Sequence, residues 1–215
     1  MTEHPPQPRF DLLETIAFDP DDGLIDLEAH VARIGASAAA HGFAFDRHGL
    51  RNELHAATFR LVQAARIRLR LSRSGAVAIE AGAKPSSPAE AAVAVRPLPV
   101  APDHPRLRHK TSDRDFYDEA RLAAGTFEVL FVHPSGLVTE GSFTNLFVQR
   151  PDGMLVTPAL ALGLLPGVLR ARLLGDGKAV EGEVRPADLE GGFLIGNALR
   201  GLIPATLVEP PGPDA

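Results

Sequence analysis

The hydrophobic positions in the first ninety residues switch back and forth between two periods. Phe10 to Phe18 predicts a strand, and the run Asp19-Pro20-Asp21-Asp22-Gly23 predicts the turn that closes it. Leu27, Val31, Ile34 and Ala38 then recur in steps of three and four, the spacing of one helix face. Asp26 stands where an N-cap belongs and Gly42 where the helix should stop. A second helix is expected from about His48 to Ala64, with Leu50, Leu54, Ala57 and Leu61 on its inner face. Arg66-Ile67-Arg68-Leu69-Arg70-Leu71 alternates at period two, as a half-buried strand does. Its guanidinium face meets either solvent or a neighbour. Ser74-Gly75 marks a hairpin turn, Val77 and Ile79 continue in the return strand, and Ala91 to Leu98 reads as another strand.

Val100-Ala101-Pro102-Asp103-His104-Pro105 is the best linker candidate. Beyond it the pattern predicts a helix over Asp113 to Ala124 and strands at Glu128 to Val132, Leu137 to Thr139 and Asn145 to Gln149. A hairpin falls at Pro151-Asp152-Gly153, and a helix runs from Pro166-Gly167 to Gly175. Strands near Val180 to Val184, Gly192 to Ile195 and Ile203 to Val208 close the pattern. The mixture predicts an α+β chain of two lobes, a small one over residues 10–100 and a larger one over 101–208. The proline-rich stretches within 1–9 and 209–215 read as disordered tails.

Composition narrows the chemistry. The chain has 215 residues, 45% of them hydrophobic, enough for a substantial core. A net charge of −5 argues against a broad basic face for nucleic acid. With no cysteine there can be no disulfide, thiolate nucleophile or zinc–cysteine site, which is compatible with a reducing cytoplasm. No apolar run approaches membrane-spanning length, and the N-terminus lacks the apolar segment of a secretory signal. The expectation is a cytoplasmic protein with no membrane, nucleic-acid or metal partner.

Lysine is scarce: three residues against nineteen arginines. Lys84 and Lys178 sit in loop-like contexts, whereas Lys110 lies in Arg108-His109-Lys110-Thr111-Ser112-Asp113. Thirty residues on comes Thr139-Glu140-Gly141-Ser142-Phe143-Thr144-Asn145-Leu146-Phe147. A lysine amine can form a Schiff base with an aldehyde cofactor such as pyridoxal phosphate, and the cofactor's ring nitrogen calls for a carboxylate such as Glu140. Its phosphate calls for a cation or a helix N-terminus, for which Arg33 and the Leu165-Pro166-Gly167-Val168 helix start are candidates. Each residue taken singly is an ordinary surface, turn or helix-start residue. Their joint order is what carries meaning.

That ordered set resembles the class IV aminotransferase-type, fold type IV pyridoxal-phosphate enzymes, a fold like that of D-amino-acid aminotransferase. The resemblance runs from about Phe10 to Val208. It rests on Leu12-Leu13-Glu14-Thr15, Leu27-Glu28-Ala29-His30-Val31-Ala32-Arg33, Arg68 to Gly75, His109 to Arg114, Val138 to Phe147, Thr157 to Gly167, and Gly196 to Leu202. The His-Lys-Thr run and Asn197-Ala198-Leu199-Arg200-Gly201 resemble most the 4-amino-4-deoxychorismate lyase branch. The resemblance implies a small N-terminal α/β lobe, a larger mixed-sheet C-terminal lobe, a homodimer, and a functional link to aminodeoxychorismate synthase. It implies Lys110 as the Schiff-base lysine, Glu140 at the pyridine nitrogen, and Arg33 at the phosphate with N–H groups of Val168, Leu169, Asn197 and Ala198. Arg200 and Arg114 are the candidates for gripping substrate carboxylates. Leu169 and Ala198 replace hydroxyl residues common in the family, and each lost hydrogen bond costs about 0.5–1.5 kcal/mol. The implied activity is conversion of 4-amino-4-deoxychorismate to 4-aminobenzoate and pyruvate. A class IV aminotransferase acting on branched-chain or D-amino acids shares the same lysine and carboxylate, and an inactive pyridoxal-phosphate-binding paralogue is the third reading.

Overall fold

The structure is a computed structural model that describes residues 10–208. The two proline-rich ends lie outside the described residues. Strand β1 (Leu12–Asp19) pairs antiparallel with the short β2 (Gly23–Leu24) and with β3 (Ala65–Leu71), and β3 pairs with β4 (Val77–Ala83). Helices α1 (Leu27–His41) and α2 (Arg47–Thr58) lie against one face of this four-stranded sheet. The apolar stripe read from the sequence explains why: Val31, Ile34, Leu50 and Leu54 are buried against Ile16 and Ile67. Each such side chain contributes about 1.5–3 kcal/mol by leaving water. The strict alternation of β3 buries Ile67, Leu69 and Leu71 beneath the helices and sends Arg66, Arg68 and Arg70 to the opposite face, which lines a cavity.

Three local expectations are corrected. Asp26 precedes α1, but its backbone is left-handed (φ 54°) and its side chain caps nothing. Its carboxylate instead accepts a hydrogen bond from Arg172 at 2.9 Å, tying this corner to a helix of the second half. Helix α2 ends at Thr58, six residues before Ala64. Thr58 Oγ1 donates to the Leu54 carbonyl at 2.9 Å, and Leu61 reaches the core through a turn closed by its own N–H on Thr58 O. Ala57, assigned to the inner face, is exposed.

The second half folds around an eight-stranded mixed sheet. Its strands are β5 (Ala91–Pro97), β6 (Glu128–Val132), β7 (Val138–Gly141), β8 (Asn145–Gln149), β9 (Leu155–Pro158), β10 (Ala179–Gly182), β11 (Phe193–Asn197) and β12 (Gly201–Leu207). The order is β10-β9-β8-β11-β12-β5-β6-β7, and β7 meets β8 again through Glu140 and Asn145. Six strands therefore close on themselves around Leu130, Val138, Leu146 and Ile195. Helix α3 (Asp115–Ala124) packs on β6, and α4 (Val168–Gly175) on β10 and β11. The segment after the linker returns to the first sheet. Leu13 N–H donates to Lys110 O at 2.8 Å, Thr111 bridges to Leu12, and Ser112 N–H donates to Asp11 O. This strap fixes the backbone of Lys110 beside β1.

Candidate active site

Between the arginine face of the four-stranded sheet and the closing strands of the larger sheet lies a cavity of about 860 Å³. Every site residue anticipated from the sequence lines it except Leu169, whose side chain is turned into the core with Phe147 and Leu173. Lys84 and Lys178 are exposed and lie elsewhere, so Lys110 is the one lysine at the cavity. Burial first, and then the positive charges of Arg114 and Arg33, bring the Lys110 ammonium down to about 7 against the opposing charges of Glu14 and Glu140. An amine held near neutrality is available as a nucleophile and as a base.

Glu140 is buried where β7 meets β8. Its Oε1 accepts from Tyr117 Oη at 2.8 Å, and its Oε2 accepts from Leu165 N–H at 3.1 Å and Asn145 Nδ2 at 3.4 Å. Burial above all, with the Glu128 charge adding to it, raises its carboxyl to about 8 against the Tyr117 and Leu165 donors and Arg114. A buried acid that keeps its proton for want of a counter-charge is suited to a cationic partner inside the cavity, which would let it ionise.

Arg33 projects from α1 one turn beyond His30. Glu14 on β1 holds both: its Oε2 meets His30 Nδ1 at 2.7 Å and Arg33 Nη2 at 2.5 Å, and its Oε1 accepts from Arg33 Nε at 2.8 Å. Burial pushes the Glu14 carboxyl up, but the Arg33 guanidinium and these hydrogen bonds outweigh it and hold it at about 2. The remaining Arg33 nitrogen, Nη1, donates to Pro166 O at 3.3 Å, so the guanidinium sits beside the start of α4. The first N–H groups of that helix have no partner within it, and they carry the positive end of its dipole. Proline is not the first helical residue as the sequence suggested: Gly167 is the N-cap and Val168 opens the helix.

Gly167 is required here. A Cβ on it would stand 1.7 Å from Asn145 Oδ1, and Asn145 also donates to Leu165 O at 3.3 Å. Gly167→Ala is expected to destabilise the fold by about 1–3 kcal/mol, the usual cost of overpacking. Because the clash displaces Asn145 from Glu140, it should also weaken binding of pyridoxal phosphate. A thermal melt and a cofactor titration check both effects.

At the other wall, Asn197 Oδ1 accepts from Leu199 and Arg200 N–H at 3.1 and 3.0 Å, shaping the turn that presents Ala198. Arg200 Nη1 donates to Ser86 O at 2.5 Å, and its guanidinium lies over the rings of Phe127 and Phe143. Arg114 donates to Ser142 O and lies over Tyr117. Sequence reasoning missed Glu14, His30, Tyr117 and Asn145 as parts of the site. Glu14, His30 and Asn145 stand inside segments that carried the resemblance, but nothing in their spacing showed that they converge. Tyr117 is the chain's only tyrosine, and it had no other signal.

These residues fit pyridoxal phosphate. They offer one amine near neutrality, a buried acid in want of a cation, and a guanidinium converging with a helix N-terminus. Fold and site together define a two-lobe, fold type IV pyridoxal-phosphate enzyme. The chain belongs to the amino-transferase class IV family, whose profile matches residues 11–208. A Schizosaccharomyces pombe protein named "Putative aminodeoxychorismate lyase" is 29% identical over 93% of this chain and 90% of its own length. The "Aminodeoxychorismate lyase" of Saccharomyces cerevisiae is 36% identical over 46% of this chain, and the match spans only 32% of that longer protein. A solved structure from Mesorhizobium loti, titled a "Putative amino-acid aminotransferase", is 38% identical with a TM-score of 0.85, covering 93% of this chain and all (100%) of that one.

Proposed function

We propose that this chain is a lyase that converts 4-amino-4-deoxychorismate to 4-aminobenzoate and pyruvate. The observation that carries the reading is one cavity that joins Lys110, Glu140 and the Arg33–α4 cradle to a wall of arginines suited to a substrate with two carboxylates. The names of the two yeast relatives agree with it. Pyridoxal phosphate, when bound, supplies an aldehyde that condenses with amines and a ring that draws off electrons as a pyridinium.

The protein's own groups have distinct tasks. Arg33 and the N–H groups of Val168 and Leu169 bind the phosphate, with those of Asn197 and Ala198 on the facing turn. Glu140 accepts the proton of the pyridine nitrogen in a hydrogen bond and keeps it there. Lys110, freed by the incoming substrate amine, takes the proton from the ring carbon bearing that amine and returns a proton to the departing pyruvate unit. Arg200 and Arg114 grip substrate carboxylates. Loss of the enolpyruvyl group makes the ring aromatic, which drives the reaction forward.

A second reading, amino-group transfer between branched-chain or D-amino acids and keto acids, draws on the Mesorhizobium loti relative. It uses the same Lys110 and Glu140. The homodimer, the cytoplasmic location and the link to a synthase belong to the same proposal. Among the described residues no helix is long and apolar enough to cross a membrane. Pyruvate release from 4-amino-4-deoxychorismate, assayed beside amino transfer to keto acids, decides between the readings. Stoichiometric 4-aminobenzoate and pyruvate without a keto-acid requirement is the expected result. Activity that depends on a keto acid transfers the site to the aminotransferase reading, and a folded protein inert in both assays leaves the inactive paralogue.

A further inference from the structure

Glu128, at the start of β6, is fully buried and is not explained by the chemistry above. Its carboxylate accepts five hydrogen bonds. Oε1 takes Val129 N–H at 2.9 Å, Ser142 N–H at 2.8 Å and Ser142 Oγ at 2.5 Å. Oε2 takes Phe143 N–H at 3.1 Å and Thr144 Oγ1 at 2.7 Å. Four of these five donors belong to the turn 142–144, which joins Glu140 on β7 to Asn145 on β8. The carbonyls of the same turn are held from outside: Ser142 O by Arg114, and Phe143 O by Asn197 Nδ2 at 3.0 Å. Gly141 completes the fit, since a Cβ there would stand 2.6 Å from both Glu128 Oε2 and Thr144 Oγ1.

We propose that Glu128 is a positioning residue that holds the 142–144 turn from beneath and so sets Glu140 against the cofactor ring and Phe143 against Arg200. The inference rests on the functional reading above. The geometry explains why a carboxylate stands there. Every partner is a donor, and three of them are backbone N–H groups that cannot turn into acceptors. Glutamine, the same size, must aim an NH₂ group at one set of these N–H groups, so the exchange is not conservative. The backbone supplies only part of this anchoring: Gly141 N–H donates to Thr144 O at 2.8 Å and Ser142 N–H also meets Val129 O at 3.1 Å, while the β7–β8 register consists of the single pair Glu140–Asn145. Phe143 N–H and the Ser142 and Thr144 hydroxyls are held by Glu128.

The test is Glu128→Gln in the full chain, with Thr144→Val as a milder variant. Amide hydrogen exchange over residues 140–145 is measured with and without pyridoxal phosphate, together with the cofactor's absorbance band and its affinity. Glu128→Gln is expected to lose protection at Ser142 and Phe143 while distant strands keep theirs, and to bind the cofactor at least about 10-fold more weakly with a displaced absorbance titration. Thr144→Val, lacking one hydrogen bond, should weaken binding by about 3- to 10-fold. If Glu128→Gln does not fold, Thr144→Val carries the same comparison. Unchanged exchange at the turn overturns the proposal. So does lost protection with an unchanged cofactor band and affinity, which would leave Glu128 a purely structural group. If the unaltered protein binds no pyridoxal phosphate, the functional reading fails, while the exchange data still decide whether Glu128 anchors the turn.

Discussion

Lys110→Ala is expected to abolish activity while leaving a folded and, at acidic pH, more stable protein. General acid–base groups contribute on the order of 10²–10⁴-fold, and the proposed mechanism uses Lys110 as both the attachment point and the base. The loss should therefore be at least on the order of 10³-fold. Borohydride should fix the cofactor to Lys110 in the unaltered chain and to nothing in the variant, because no second lysine lines the cavity. The stability effect follows from linkage. The folded amine titrates near 7, well below its ordinary 10.5, so burial disfavours its charged form. Below pH 7 both folded and unfolded chains hold the proton, and the folded state bears the full cost of a buried ammonium. From pH 7 to about 10 the unfolded chain binds more protons, so the native protein gains stability that the variant cannot gain. The melting difference in favour of Lys110→Ala should be largest near pH 6 and shrink as pH rises. In the cofactor-free chain the same amine predicts that condensation of Lys110 with added pyridoxal phosphate quickens as pH rises through about 7 and the amine loses its proton. A variant that still releases pyruvate, or a condensation rate flat from pH 6 to 8, removes Lys110 from the mechanism.

The period-two run of β3 and the α1 stripe were legible because one face of each must be buried. A single pattern therefore fixes both the element and its orientation. The destination of the arginine face was not legible: alternation separates Arg66, Arg68 and Arg70 from the core but cannot say that a second sheet faces them across a cavity. The end of helix α2 at Thr58 is hidden in the pattern for a related reason. Leu61 keeps the helical spacing, but it reaches the core by a turn after Thr58, and spacing does not distinguish the two routes. That Lys110, Glu140 and Arg33 would share one cavity was legible through the ordered segments around them. Glu14 and Glu128 were not, because a buried acid in an apolar strand is identified only by its partners. Apart from Val129 beside Glu128, those partners lie 14 to 19 residues away and, for Glu14, on a different element.

Glu14 carries the second large effect. Glu14→Ala is expected to destabilise the protein by about 3–5 kcal/mol, since it leaves the Arg33 guanidinium and the buried His30 without their carboxylate. His30 Nε2 already has no partner, so the imidazole would lose its one hydrogen bond. The pH dependence has a definite sign. A carboxyl held at about 2 in the folded chain, against an ordinary 4.5, contributes stability that is fully present above pH about 5. That contribution, about 3 kcal/mol at 1.36 kcal/mol per unit, is lost as pH falls toward 2. The melting temperatures of Glu14→Ala and the unaltered chain should therefore converge on acidification. Binding should suffer as well. Glu14 occupies Nε and Nη2 of Arg33 and leaves Nη1 beside Pro166 at the start of α4, so it aims the guanidinium at the place proposed for the cofactor phosphate. Without it the side chain regains its rotamer freedom, and affinity for pyridoxal phosphate should fall by more than about 10-fold. Glu14→Gln keeps one acceptor for Arg33 and should lie between the two. A Glu14→Ala protein with unchanged melting temperature at pH 7 and unchanged cofactor affinity would show that Arg33 is placed by α1 alone.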